Sequence, residues 1–220
     1  NLQTGDGRGD PFIHFYEEVL AAYDKTQKVQ CGVFYTPQPV VNFIVRAVDT
    51  ILKNDFGYAD GLATTATKKI KTTVKQWVKS KSYTKDVVKE VEVPAVQILD
   101  PATGTGTFIR QTILQIYENF RSAHKGESED QIRAAWNAYV PKHLLPRLNG
   151  CELMMAPYAV AHMKLAMVLK DTGYDFKSDK RLQVYLTNSL EEPGSSKSQA
   201  EFWDDPLAAE SVAANEAKPN

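Results

Sequence analysis

Nine residues, Asp100-Pro101-Ala102-Thr103-Gly104-Thr105-Gly106-Thr107-Phe108, constrain this 220-residue chain more than any others. They follow a short apolar run, Ala95-Val96-Gln97-Ile98-Leu99, that reads as a buried strand ending at Asp100. They precede Ile109, Ile113, Ile116, Tyr117 and Phe120, apolar positions at helical spacing. Strand, glycine turn and helix together open a nucleotide-binding α/β unit. Glycines let the turn's backbone approach a ligand closely, and the free N–H groups of the next helix attract negative charge.

Spacing separates the nucleotide classes that use such a turn. A phosphate-cradling loop needs Gly, four residues, then Gly-Lys-Ser/Thr, and neither that spacing nor the lysine is present. A dinucleotide fingerprint needs a third glycine where Ile109 stands, so an oxidoreductase is not expected. The acidic Asp100 suits a cofactor that carries its own ammonium group, and S-adenosylmethionine is such a cofactor.

The rest of the chain supports a parallel sheet with helices on its faces. Ser128-Glu129-Asp130-Gln131 is a capping box before a helix with Ile132, Ala135, Trp136 and Tyr139. A short strand follows around 148–153, then a helix from Ala156-Pro157 to about Lys170, then alternating Leu182, Val184 and Leu186 as a third strand. Glu152 ends the second strand, where a carboxylate can accept both ribose hydroxyls of a nucleoside. It comes about 50 residues after the turn rather than the usual ~20, and the added helix at 129–139 accounts for the excess.

Four regions are expected. Residues 1–53 form a helical N-terminal segment, with one helix carrying Phe12, Tyr16, Val19, Leu20 and Tyr23 and another from about Pro39 to Lys53. Residues 54–94 form a lysine-rich insertion or hairpin, with nine lysines from Lys53 to Lys89. This reads as a solvated hairpin, with contacts to DNA phosphates as the sharper alternative. Residues 95–192 form the cofactor-binding core, and 193–220 a polar, then alanine-rich tail. The chain begins with Asn1 and ends on Lys218-Pro219-Asn220, and both ends read as cuts through a longer protein.

Composition narrows the functional classes further. A formal net charge of −1 excludes a globally basic nucleic-acid binder, though not a local patch. No apolar run approaches the length of a membrane span. Two cysteines, Cys31 and Cys151, exclude a disulfide framework and suit a reducing cytoplasm, with Cys151 a buried thiol. His14 and His162 fall on predicted helices, while His124 and His143 form no ligand cluster with the cysteines, so no metal site is expected. Met154, Met155, Met163 and Met167 are expected in the core.

Gly32-Val33-Phe34-Tyr35-Thr36-Pro37, then Asp100 to Gly106, then Glu152 resemble, in that order, the N6-adenine DNA methyltransferases of bacterial restriction-modification systems. More narrowly, HFYEEVLAAYD, FYTPQPVVNFIVRAVD, ILDPATGTGTF, GCELMMAPYAVAHMKLAM and YLTNSLE are similar to the methyltransferase region of large single-chain restriction enzymes. In those enzymes helicase and nuclease domains share the polypeptide. The resemblance covers about 11–53 and 95–192 and implies a partial Rossmann-like class I methyltransferase fold with S-adenosylmethionine as cofactor. It implies double-stranded DNA as the partner of the parent protein. By position, Tyr35, Thr36 and Pro37 match the motif around the methionine end of the cofactor. Asp100, Ala102, Gly104 and Gly106 match the loop under its methionyl and ribose groups. Glu152 matches the ribose-binding acid, Leu153 and Met154 flank the adenine, and Asn188 matches the position that bonds the adenine.

One departure carries as much weight as the matches. The family acts on a flipped base with Asn-Pro-Pro-Tyr, or Asp at its first position, and no such tetrapeptide occurs in the 220 residues. Asp204-Asp205-Pro206-Leu207 lacks the second proline and the aromatic ring. No catalytic residue is therefore assigned, and the chain is expected to be inactive alone. Two alternatives remain at this point: a methyltransferase acting on RNA or protein, and a non-catalytic binding module on the same scaffold.

Overall fold

The computed structural model describes residues 36–78 and 83–189, including their side chains except those of 73–87. The predicted helix at 12–23, His14, Cys31, Tyr35 and the tail at 193–220 lie outside the described residues.

Helix α1, Gln38–Asn54, starts with a proline in its first turn and lays Val41, Val45 and Asp49 against the body. Asp49 is a buried carboxylate and so needs partners. Its Oδ1 accepts the Leu62 N–H at 2.8 Å and Asn119 Nδ2 at 2.6 Å, while Lys53 Nζ lies 2.6 Å from Oδ2. Gly61 is required beside it: a Cβ there would meet Asp49 Oδ1 at 2.1 Å, and its φ is +54°.

Strands β1, Thr67–Val78, and β2, Tyr83–Pro94, pair antiparallel over their full lengths in a separate hairpin. The register sets Lys69 opposite Glu92 and Lys71 opposite Glu90. Part of the lysine excess is thus matched across the strands.

The central sheet is parallel, in the order β3-β4-β5. Strand β3 is Ile98–Asp100, shorter than the apolar run at 95–99, and Asp100 is its last residue. Leu99 is half exposed rather than buried, because β3 is an edge strand of the described sheet. Strand β4, Leu148–Glu152, is buried at every position, and β5, Gln183–Leu186, flanks it. Between β3 and β4 run α2, Thr107–Ala123, and α3, Glu129–Tyr139. Ile109, Ile113, Ile116 and Phe120 make the buried stripe of α2. Both hydrogen bonds of the Ser128–Gln131 capping box are formed at the start of α3.

Trp136 of α3 is fully buried among Tyr117, Phe120 and Tyr139, and its Nε1 donates to Thr172 Oγ1 at 3.1 Å. The connection to β4 is held by Arg147, which donates to the carbonyls of His143 and Leu62 and to the Tyr139 hydroxyl.

Helix α4, Met155–Asp171, joins β4 to β5. Its inner face is Ala161, Leu165, Val168 and Leu169, and it also buries Lys164. Met155, Met163 and Met167 are exposed, contrary to the core placement expected of them. The helix is apolar on several sides, so hydropathy alone does not say which face meets the sheet.

Candidate functional site

The site lies at the carboxyl ends of the three parallel strands, where Asp100, Glu152 and the residues after β5 stand side by side. The turn after β3 is folded back on β4. Thr103 N–H donates to the Cys151 carbonyl at 2.9 Å, and Thr103 Oγ1 donates to the Asp100 carbonyl at 3.1 Å. Both turn glycines adopt positive φ, +55° at Gly104 and +78° at Gly106, and Gly106 caps α2. They do different work. A Cβ at Gly106 would lie 3.3 Å from Ala161 Cβ, so that glycine allows α4 to approach. A Cβ at Gly104 would meet nothing within 4 Å, leaving the turn's backbone open on that side.

Gly150 is a third glycine of this site, and the spacing of the turn gave no sign of it. It pairs with Asp100 across the sheet. A Cβ on it would lie 2.5 Å from Thr103 Oγ1 and 2.8 Å from Ile109 Cδ1. Its absence of a side chain lets the turn sit directly on β4.

Glu152 is 8% exposed and ties the turn to the segment after β4. Its Oε2 accepts the Gly104 N–H and its Oε1 accepts the Met154 N–H, each at 2.8 Å. A carboxylate oxygen accepts two hydrogen bonds, so each still has capacity for a hydroxyl donor.

Asp100 uses one oxygen on the Ala102 N–H, at 3.2 Å. Its other oxygen, Oδ2, is buried without a hydrogen-bond partner among the described residues, as is Thr107 Oγ1 at the far end of the turn. Burial pushes the Asp100 carboxyl above its usual range, the Ala102 N–H opposes this, and the charge of Glu152 adds to it. A cationic or hydrogen-bond-donating ligand at Oδ2 would relieve that desolvation.

Other predicted residues fall around this centre. Leu153 is 62% exposed beside Glu152, and Met154 is half-buried. Asn188 follows Thr187, whose N–H donates to the Glu152 carbonyl at 2.8 Å, so the end of β5 is fastened beside the acid. Thr36 and Pro37 lead into α1, where Gln38 Nε2 donates to Gln111 Oε1 of α2 at 3.3 Å. Ala102 contributes its backbone N–H. A cleft of about 440 Å³ lined by Phe120, His124, Tyr139 and His143 lies at the opposite end of α2 and contains none of the predicted site residues. No three His, Cys, Asp or Glu side chains among the described residues are grouped to hold a metal ion. No helix among them is long and apolar enough to cross a membrane.

A parallel α/β sheet thus carries a glycine turn and two carboxylates, Glu152 buried and Asp100 half-buried, at its carboxyl edge, which is where open α/β sheets take their ligands. The sequence profile of the N-6 DNA Methylase family matches residues 7–216, and the chain belongs to that family. Among solved structures it resembles the ATP-dependent Type ISP restriction-modification enzyme LlaBIII bound to DNA, at 22% identity and a TM-score of 0.55. That match covers 97% of this chain and 12% of the other. A nuclease-deletion mutant of the Type ISP enzyme LlaGI, in complex with a DNA substrate mimic, matches at 22% identity and 0.52, covering 95% of this chain and 13% of the other. The DrdV–DNA complex matches at 23% and 0.51, covering 80% of this chain and 12% of the other. The chain thus spans about one-eighth of the structures it resembles. No curated protein matches it significantly.

Proposed function

We propose that this chain is the S-adenosylmethionine-binding portion of a DNA adenine-N6 methyltransferase, within a Rossmann-like core of the kind carried by large restriction-modification enzymes. The observation that carries the reading is Asp100, a half-buried carboxylate whose buried Oδ2 has no hydrogen-bond partner among the described residues, at the mouth of an open glycine turn, in a chain of the N-6 DNA Methylase family. When bound, the cofactor supplies an electrophilic methyl group on a sulfonium. Asp100 receives its ammonium end. Gly104 leaves room for its backbone approach, and Glu152 accepts the ribose hydroxyls on the lone pairs not used by Gly104 and Met154. Leu153, Met154 and Asn188 border the adenine, and Tyr35, Thr36 and Pro37 close over the methionine end.

The contribution of these residues is orientation, the pre-assembly that turns a bimolecular encounter into a positioned one. The group that would hold a flipped adenine is a separate matter. No Asn- or Asp-Pro-Pro-aromatic tetrapeptide occurs in these 220 residues, so the chain alone transfers no methyl group. Double-stranded DNA, and helicase and nuclease domains on one polypeptide, are the partners this reading assigns to the parent protein.

Calorimetric titration of the chain with S-adenosylmethionine, NAD and ATP tests the proposal. Binding of S-adenosylmethionine alone, removed by Asp100→Ala, is expected. Binding of NAD in its place, or S-adenosylmethionine binding unaffected by Asp100→Ala, would overturn it.

A further inference from the structure

Lys164 lies where a lysine is costly. It is on the inner face of α4, 4% exposed, between Ala161 and Leu165, the residues that receive Gly106. Burying an ammonium is unfavourable unless hydrogen bonds compensate, and an apolar side chain would fill the same volume without that penalty. The burial also shows that Lys164 is not a side chain resting its stem on the surface with its head in water. Its Nζ lies 3.4 Å from Thr105 Oγ1, and Thr105 is itself 1% exposed.

Thr105 is the residue between the two positive-φ glycines. Two elements therefore hold consecutive residues of the turn. From β4, the Glu152 carboxylate takes the Gly104 N–H. From α4, the Lys164 ammonium donates to the Thr105 hydroxyl. A stretch flanked by glycines has much conformational freedom to lose, and a side-chain anchor at its middle reduces the ensemble before any ligand arrives.

We propose that Lys164 is a positioning residue for the cofactor turn, acting through the Thr105 hydroxyl to fix the backbone between Gly104 and Gly106. The predicted effect on affinity rests on the cofactor reading above, whereas the effect on the turn itself does not.

The experiment has two arms on the 220-residue chain. In hydrogen–deuterium exchange without ligand, Lys164→Met and Thr105→Val each speed exchange at the amides of 104–106, while 109–120 and 148–152 keep their protection. In calorimetry with S-adenosylmethionine, each weakens binding about five- to tenfold, the net worth of one ordinary intramolecular hydrogen bond. The double variant binds no worse than Lys164→Met alone, since that change already removes the interaction lost in Thr105→Val, and Lys164→Arg recovers part of the loss. Unchanged exchange at the turn in Thr105→Val, which is nearly isosteric and spares α4, would overturn the proposal. So would additive losses in the double variant, or loss of protection spread evenly over α2 and β4. If the unaltered chain does not bind S-adenosylmethionine, the cofactor reading falls, and the exchange arm still decides the role of Lys164.

Discussion

Asp100 places the site's function and the chain's stability in opposition. Its Oδ2 is buried with no partner among the described residues, and burial, more than the neighbouring charge of Glu152, raises its carboxyl above the ordinary 3.8. The sign of the pH effect follows directly. A carboxyl raised on folding stabilises the fold most when protonated, and that contribution is lost as pH rises through its folded value. Asp100→Asn removes the penalty of the charged form while keeping the shape. The variant is expected to melt above the unaltered chain at neutral pH, with the gap narrowing as pH falls toward 3.8, and to lose most S-adenosylmethionine affinity. Thermal melts across pH, paired with calorimetry, check both halves. A lower melting temperature for the variant at neutral pH would show that Oδ2 is satisfied in solution. Such an exchange of stability for function is common at binding sites.

At the level of elements, the glycines of the turn and of β4 separate into two physical roles. Gly150→Ala pushes a methyl into the side chains of Thr103, whose hydroxyl is held on the Asp100 carbonyl, and Ile109, which is packed in the core, so neither has free space to move into. The expected destabilisation is about 2 kcal/mol, as for an overpacked core, with the turn lifted off β4. Gly104→Ala meets no neighbour and costs only its positive φ, about 1 kcal/mol. It nevertheless places a methyl where a ligand would approach. Denaturant unfolding should rank Gly150→Ala as the more destabilising, while calorimetry should find cofactor binding impaired in both.

This contrast also marks what could be read from the amino acids. The turn, the α2 stripe and the capping box at Ser128 were legible because each is written within a few consecutive residues. Gly150, Lys164 and Arg147 were not, because their meaning depends on what the fold brings against them from 47, 59 and 85 positions away. Met155, Met163 and Met167 were misread for a related reason: apolar residues all around α4 give no periodicity from which to choose an inner face.

Taken whole, the described residues form a small parallel sheet with the glycine turn at its carboxyl edge, a separate hairpin, and helices whose outer surfaces are not uniformly polar. α1 exposes Val40, Phe43, Ile44, Val48 and Ile51 along one side, and α4 exposes its methionines. The structures this chain resembles are about seven to eight times its length. The thioethers of α4 have a chemical consequence of their own. Exposed methionine sulfur is oxidised by peroxide to sulfoxide, whereas a buried thiol is shielded. Dilute peroxide followed by peptide mass spectrometry should modify Met155, Met163 and Met167 well before Cys151. Equal resistance at all four would mean that the outer face of α4 is covered in solution. Because a covered sulfur stays reduced, α4 carries a built-in recorder of contact: whichever surface comes to lie on it leaves its outline in the methionines that escape oxidation.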